Sequence, residues 1–313
     1  MRNQLTHLKK RRFFAVLRRR LGGMSLLLLS ACLPKESSFL APAGLIASLQ
    51  RQWMIEIGVV LIAVLVPIFI ALPAIIWRYR ISNRKARYAP DWEFYRPLEI
   101  FIWGGPMVIV AFLAIMIAGP QTRYSPERAP TAGETLEIQV IGMNWKWLFL
   151  YPDHHVASVN TITLPENTNI RFALTSDGTM QSFFIPALGG QIYAMGGMVT
   201  HLNLRTGAST DLLGENTQFN GEGFQDQKFI VHVVSREAFS QWVEHAFNTG
   251  PELTRGFYRV LHQQGTCRDA HEQLQQMTSS PMCEEAGGLV FRYMSGLIFK
   301  EVLRDTQRGN NVK

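Results

Sequence analysis

The chain has 313 residues, 47% of them hydrophobic and 18% charged, with a formal net charge of +7. That balance fits some membrane and a larger water-exposed part, and it excludes a polytopic transporter. The positive charge is local: Arg2, Lys9, Lys10, Arg11, Arg12, Arg18, Arg19 and Arg20 crowd the start, a basic loop follows, and the chain after Pro120 is mildly acidic, which excludes a polyanion-binding surface.

Residues 1–31 have the three parts of an export signal: a basic front, an apolar run over 21–29, and the small residues Ser30 and Ala31 before Cys32. Leu29-Ser30-Ala31-Cys32 resembles a bacterial lipoprotein cleavage box, in which the cysteine becomes the lipid-modified first residue of the mature chain. The plainer reading is a leader cut elsewhere, with Cys32 an ordinary thiol. Residues 32–52 then form a short segment on the outer side.

Two apolar runs follow, over residues 53–77 and 98–120, and no charged side chain occurs from Ile57 to Trp77 or from Ile100 to Pro120. A helix rising 1.5 Å per residue crosses the roughly 30 Å hydrocarbon core in about 20 residues, so each run predicts a transmembrane helix. Pro67 and Pro73 are compatible with this, because neighbours in a membrane re-satisfy the freed carbonyls. The loop over 78–97 carries Arg78, Arg80, Arg84, Lys85, Arg87 and Arg96 against Asp91 and Glu93. Short basic loops stay cytoplasmic, which puts both outer flanks, and all that follows Pro120, across the membrane. Glu99 stands at the cytoplasmic start of the second span, where a helix dipole stabilises a carboxylate.

From Thr135 the pattern turns to alternation. Leu136, Ile138 and Val140 share one face; Ile170, Phe172 and Leu174 share another, as do Phe229, Val231 and Val233. Turn signals such as Tyr151-Pro152-Asp153, Pro165-Glu166-Asn167 and Asn220-Gly221 separate short strands, and the spacing predicts a sandwich or barrel over 125–247. Ser235 suits the N-cap of a helix with the stripe Phe239, Trp242, Val243, Ala246 and Phe247. Residues 248–313 predict a helical extension, with Val290, Tyr293, Met294, Leu297, Ile298 and Val302 as its stripe. Cys267 and Cys283 lie in this extension, and an oxidising compartment predicts a disulfide between them. Adjacent His154 and His155, beside Asp153, suit an exposed loop better than a metal site, since neighbouring strand residues point to opposite faces.

The segments MNWKWLFLYP, SFFIPALGGQIYAMGGM and GENTQFNGEGFQDQKF, after two spans, resemble subunit II of the haem-copper terminal oxidases, most nearly the quinol-oxidising cytochrome o branch. The resemblance runs to about Phe247 and implies a membrane-anchored α+β chain: a two-helix hairpin, a cupredoxin-like β-sandwich, then the helical extension. Copper-bearing relatives hold a dinuclear centre with a histidine before the Ser-Phe pair and a C-x-x-x-C-x-x-x-H-x-x-M loop with a glutamate between the cysteines. On that frame the present residues are Gln181, then Asn216, Gln218, Asn220, Phe224 and Gln227. Amides are weak ligands for a soft ion, so no metal is expected here.

The resemblance therefore implies an accessory subunit. The haems, the remaining copper and the site of quinol oxidation would belong to subunit I, the main partner in a hetero-oligomer. It also matches Glu99 to a glutamate proposed at the mouth of a proton pathway, and Trp145 and Trp147 to an aromatic segment that receives electrons in copper-bearing relatives. With no acceptor beneath them, packing or docking is expected of both tryptophans. The competing readings are a copper-bearing cytochrome c oxidase subunit, which the missing cysteines oppose, and a ligand-binding membrane lipoprotein, which has no need of two spans. No Ser-His-acid constellation supports a hydrolase.

Overall fold

The computed structural model describes residues 40–83, 94–123, 133–266, 269–270, 272–274, 289–293 and 297–308. Cys32, Cys267, Cys283, the leader and most of the basic loop lie outside the described residues. Two long helices come first, α1 (Leu45–Arg78) and α2 (Arg96–Arg123). Both are long and apolar enough to cross a membrane, and side chains such as Phe69, Trp77, Phe101 and Met107 are exposed along them.

At 34 residues α1 is about 51 Å long, well beyond the roughly 30 Å apolar core of a bilayer. It starts at Leu45, before the predicted span, because its first turns contact the soluble domain. The amides of Ala43, Gly44 and Ala47 donate to the carbonyls of Ala187, Ala187 and Leu188 at 2.8, 3.1 and 3.1 Å, so loop carbonyls satisfy donors at the helix start where the N-cap, Gly44, has no side chain to help. Glycine is required opposite this start, at Gly207 between residues 205 and 210, where a Cβ would lie 2.1 Å from the Ala43 oxygen.

The β-domain is a sandwich built from β1 (Thr135–Met143), β2 (Lys146–Tyr151), β3 (Val156–Val159), β4 (Thr161–Pro165), β5 (Asn169–Ser176), β6 (Gln181–Phe184), β7 (Gln191–Ala194), β8 (Thr200–Arg205), β9 (Thr210–Asn216) and β10 (Lys228–Val234). After it come α3 (Arg236–Thr249), α4 (Arg255–His262), β11 (Leu289–Arg292) and α5 (Leu297–Gln307). One sheet has the order β11-β3-β2-β1-β5-β8 and the other β4-β10-β9-β6-β7. Pairing is antiparallel except for β1 with β5 and β4 with β10, the mixed arrangement of a cupredoxin-like sandwich.

The predicted alternation aims Ile138, Val140, Phe172, Phe229 and Val231 into the space between the sheets, around stacked Phe183 and Phe229 rings 5.1 Å apart. Tyr151 Oη staples the sheets, accepting from Thr163 N and donating to Thr163 O, each at 3.0 Å. Strand β1 is buried on both faces at its end, because Ile141 and Met143 meet a second core under Tyr258, Leu261, Phe291 and Phe299. Ser235 caps α3, its Oγ accepting from Ala238 N at 3.2 Å, and Phe239 and Ala246 of the predicted stripe are buried.

The extension departs from the helical expectation. Leu289–Arg292 is a strand, pairing antiparallel with β3 through Leu289↔Val159 and Phe291↔Ala157. Phe291, not Val290, is the residue fully buried there. The reason is the open edge of β3, whose unpaired amides and carbonyls favour an added strand over a further helical turn. Helix α5 begins at Leu297, and Ile298 and Val302 are buried as the stripe requires.

Candidate functional site

The six positions of the sequence frame come from three neighbouring strand ends. Gln181 opens β6, Asn216 closes β9, Gln218 and Asn220 lie in the loop that follows, Phe224 lies in a 3-10 turn (Glu222–Asp226), and Gln227 immediately precedes β10. The Phe183↔Asn216 register sets β6 beside β9. The loop closes over the Trp145 ring through glycines. A Cβ on Gly223 would lie 2.2 Å from that ring, and Gly221 takes φ +120°, so neither position accepts an ordinary residue.

Within this frame four amide side chains form one network. Gln181 Nε2 donates to the Met143 carbonyl at 3.0 Å, and Gln227 Nε2 donates to Gln181 Oε1 at 2.5 Å. Gln227 Oε1 accepts from Asn216 Nδ2 at 2.9 Å and Asn220 Nδ2 at 2.7 Å. Asn216 Oδ1 accepts the backbone amides of Ser182 and Gln218, both at 2.9 Å. The polarity is fixed at both ends by the backbone: a carbonyl at Met143 forces Gln181 to donate there and accept from Gln227, and the two amides at Asn216 force its oxygen toward them. Gln181, Asn216 and Gln227 are buried, so the bonds among these three are made where water does not compete.

Of the remaining predicted positions, Gln218 joins through its backbone, its carbonyl accepting from Asn216 Nδ2 at 2.8 Å. Phe224 stands apart, its ring packed on Phe219 at 5.8 Å. Ser182, whose Oγ accepts from Thr217 Oγ1 at 2.8 Å, and the Met143 carbonyl complete the cluster; backbone partners and lone hydroxyls give no sequence signal of their own. Trp147 is fully buried and meets Phe183 edge-on at 5.3 Å, which makes it a core residue. Trp145 holds φ 62°, and its Nε1 donates to Asn220 O at 3.4 Å, so it braces the loop.

The cluster does not fit a copper centre. Its side chains are neutral amides, with the oxygens of Gln181, Asn216 and Gln227 already accepting hydrogen bonds, and it holds neither thiolate nor imidazole. Among the described residues no three His, Cys, Asp or Glu side chains gather where they could hold a metal ion. His154 packs edge-on against Phe239 at 5.4 Å, while His155 is exposed with φ 56°. What the arrangement can do chemically is hold strand ends together.

Glu99 lies in the first turn of α2, as predicted, and accepts from Trp103 Nε1 at 3.2 Å. It is far in sequence from the amide cluster and shares no bond with it.

No family model matches the chain. It is 38% identical over 246 residues to ubiquinol oxidase subunit 2 of Acetobacter aceti, covering 77% of this chain and 79% of that one. It is 34% identical over 239 residues to cytochrome bo(3) ubiquinol oxidase subunit 2 of Pseudomonas putida, covering 76% and 75%. Among solved structures, the periplasmic domain of subunit II of cytochrome oxidase of Bradyrhizobium japonicum is 25% identical, covers 37% of this chain and 95% of that one, and has a TM-score of 0.35. Relatives this similar, matched over three quarters or more of their own length, show that the chain belongs to the ubiquinol oxidase subunit 2 family.

Proposed function

We propose that this chain is the second subunit of a haem-copper terminal oxidase that oxidises quinol, reduces oxygen to water and pumps protons in an aerobic respiratory chain. The single observation that carries the reading is the amide network at the frame's ligand positions, on a chain of this family. An electron arriving from a soluble one-electron carrier would find no acceptor there. Electrons then enter from membrane quinol at subunit I, which would also hold the haems and the remaining copper.

The subunit acts by position rather than by redox chemistry. Two spans anchor it in the bacterial inner membrane beside subunit I, the β-domain lies on the periplasmic side, and acyl chains on Cys32 add a further anchor. Gly104, Gly105, Ala111 and Ala114 give α2 small residues suited to close packing against a neighbouring span. Glu99, held by Trp103, is the residue we assign to the cytoplasmic mouth of a proton route into subunit I.

Affinity capture of the tagged full chain from solubilised membranes tests this. The expected product carries haem and a many-spanning partner, consumes oxygen with quinol, and does not oxidise reduced cytochrome c. Cytochrome c-supported turnover, or capture of the chain alone without haem, would overturn it. In the assembled complex Glu99→Gln is expected to slow quinol turnover with haem content unchanged; turnover equal to wild type at neutral and alkaline pH would remove Glu99 from the route.

A further inference from the structure

A second polar cluster lies on the opposite side of the β1–β2 turn, where the C-terminal extension meets the sandwich. Asp177, just after β5, is buried, and its Oδ2 accepts from Tyr258 Oη at 2.6 Å. His262, the last residue of α4, brings Nδ1 to 2.8 Å from the same oxygen. Lys146, at the start of β2, is also buried, and its Nζ donates to Asn144 O, Gln263 O and Gly265 O at 3.2, 2.8 and 2.7 Å. Asn144 Nδ2 donates to His262 O at 3.2 Å. An acid from the β5–β6 loop and a base from β2 are thus both met by one short stretch of the extension.

This stretch also reaches the amide cluster. Side chains alternate along the β1–β2 turn, so Asn144 and Lys146 face the extension while Trp145 faces the amide loop and donates to Asn220 O. The turn is held from both sides, with Trp145 kept at a positive φ of 62° that tryptophan rarely adopts.

We propose that Lys146, Asp177, Tyr258 and His262 form a proton-operated latch that fixes the C-terminal extension to the sandwich and, through the β1–β2 turn, steadies the amide loop. The latch is closed while His262 is protonated and loosens when the proton leaves. Buried Asp177 has Tyr258 as a neutral donor, so imidazolium at His262 supplies the mobile positive charge at its side. The groups facing His262 and its partners are Asp177 from the β5–β6 loop, Lys146 from β2, and Tyr258 from α4 itself, with Glu301 and Asp305 of α5 acting on Tyr258.

The sign follows from the same contacts. Hydrogen bonding and charge pairing with Asp177 raise the His262 pKa above its usual 6.5, against opposing effects of burial and Lys146. A group with a raised folded pKa stabilises fully below its unfolded pKa, and that stabilisation is lost as pH rises through the folded value. An acidified outer compartment keeps the latch shut; an alkaline one loosens it.

Hydrogen–deuterium exchange on the full chain in its purified membrane complex tests the latch. Protection is read on peptides spanning 255–263 and 217–224 and corrected for intrinsic exchange. Between about pH 6 and pH 9, wild-type protection of both peptides is expected to fall by about tenfold as His262 loses its proton. Asp177→Asn should show weak protection at both pH values. His262→Gln, a change at a partly exposed side chain that keeps a donor, should show no pH response even if Asp177→Asn fails to fold. Equal wild-type protection at both pH values, or a pH response retained in His262→Gln, overturns the latch. A response at 255–263 without one at 217–224 overturns its link to the amide loop.

Discussion

Replacing Gln227 with methionine tests the amide network most directly. Met has a similar length and no branching, so the change removes polarity without opening a large cavity. Wild-type Gln227 is fully buried and engages Gln181 Oε1, Asn216 Nδ2 and Asn220 Nδ2 at 2.5, 2.9 and 2.7 Å. Asn216 Nδ2 retains Gln218 O at 2.8 Å, so the groups that lose a partner are Gln181 Oε1 and Asn220 Nδ2. A buried polar group left unpaired costs about 1–3 kcal/mol. Asn220 is half-buried and recovers some water, which puts the total at about 3 kcal/mol, or a melting point lower by about 6–12 °C for a domain of this size. Thermal unfolding of the full chain in detergent, followed by tryptophan fluorescence, reads it, with Gln218→Ala as the control. Gln218 takes part through its backbone, so that variant should stay within about 0.5 kcal/mol of wild type. A loss under about 1 kcal/mol for Gln227→Met, or an equal loss in both variants, would refute the network as a stabilising unit.

Converting all six positions together, Gln181→His, Asn216→Cys, Gln218→Glu, Asn220→Cys, Phe224→His and Gln227→Met, should yield a purple copper-binding chain; absence of copper in a folded product would show that the loop backbone has lost the ligand geometry. Intact-mass analysis of the membrane form should give a chain starting at an acylated Cys32, and Cys32→Ala should impair processing while leaving the spans inserted. Alkylation without reductant should leave Cys267 and Cys283 unlabelled, since a disulfide closing that loop would contribute on the order of 3 kcal/mol; labelling of both thiols would exclude the bond. Gly207→Val should detach the start of α1, because even a Cβ there would lie 2.1 Å from the Ala43 oxygen; limited proteolysis is expected to cut near residues 40–52 in the variant and not in wild type.

The two long helices and the sandwich were legible because their signals are periodic and local. Uninterrupted apolarity marked α1 and α2, and alternation marked β1, β5 and β10. Ser235 was legible as a cap because Ser accepts from the third helical residue in a fixed local geometry. Leu289–Arg292 was not, since its strand character comes from the open edge of β3, far away in sequence. The earlier start of α1 had the same kind of cause: residues 45–52 are too polar for the apolar core, and their helix is fixed by carbonyls of Ala187 and Leu188. The frame positions could be placed from the family resemblance, but their mutual bonding could not. Lys146, Asp177, Tyr258 and His262 carry no local pattern at all; three separate chain segments bring them together.

The amide network also gives the loop end a set of ties of its own. A metal centre at these positions would tie the ends of β6 and β9 to the approach to β10, and the network ties the same ends: Gln181, Asn216 and Gln227 belong to those segments, with the Met143 carbonyl bringing in β1. Coordination bonds accept only a few ligand types, whereas amides satisfy one another whenever donors and acceptors alternate, as they do here from Met143 to Asn220. Single changes toward the metal ligands break that alternation before any metal can bind. At Gln181, Asn216 and Gln227 such a change leaves a buried donor or acceptor unpaired at a cost of about 1–3 kcal/mol, so a copper-binding loop is reached only through less stable intermediates. The strand ends are thereby held by local hydrogen bonding, in a cluster whose side chains do not fit a metal ion.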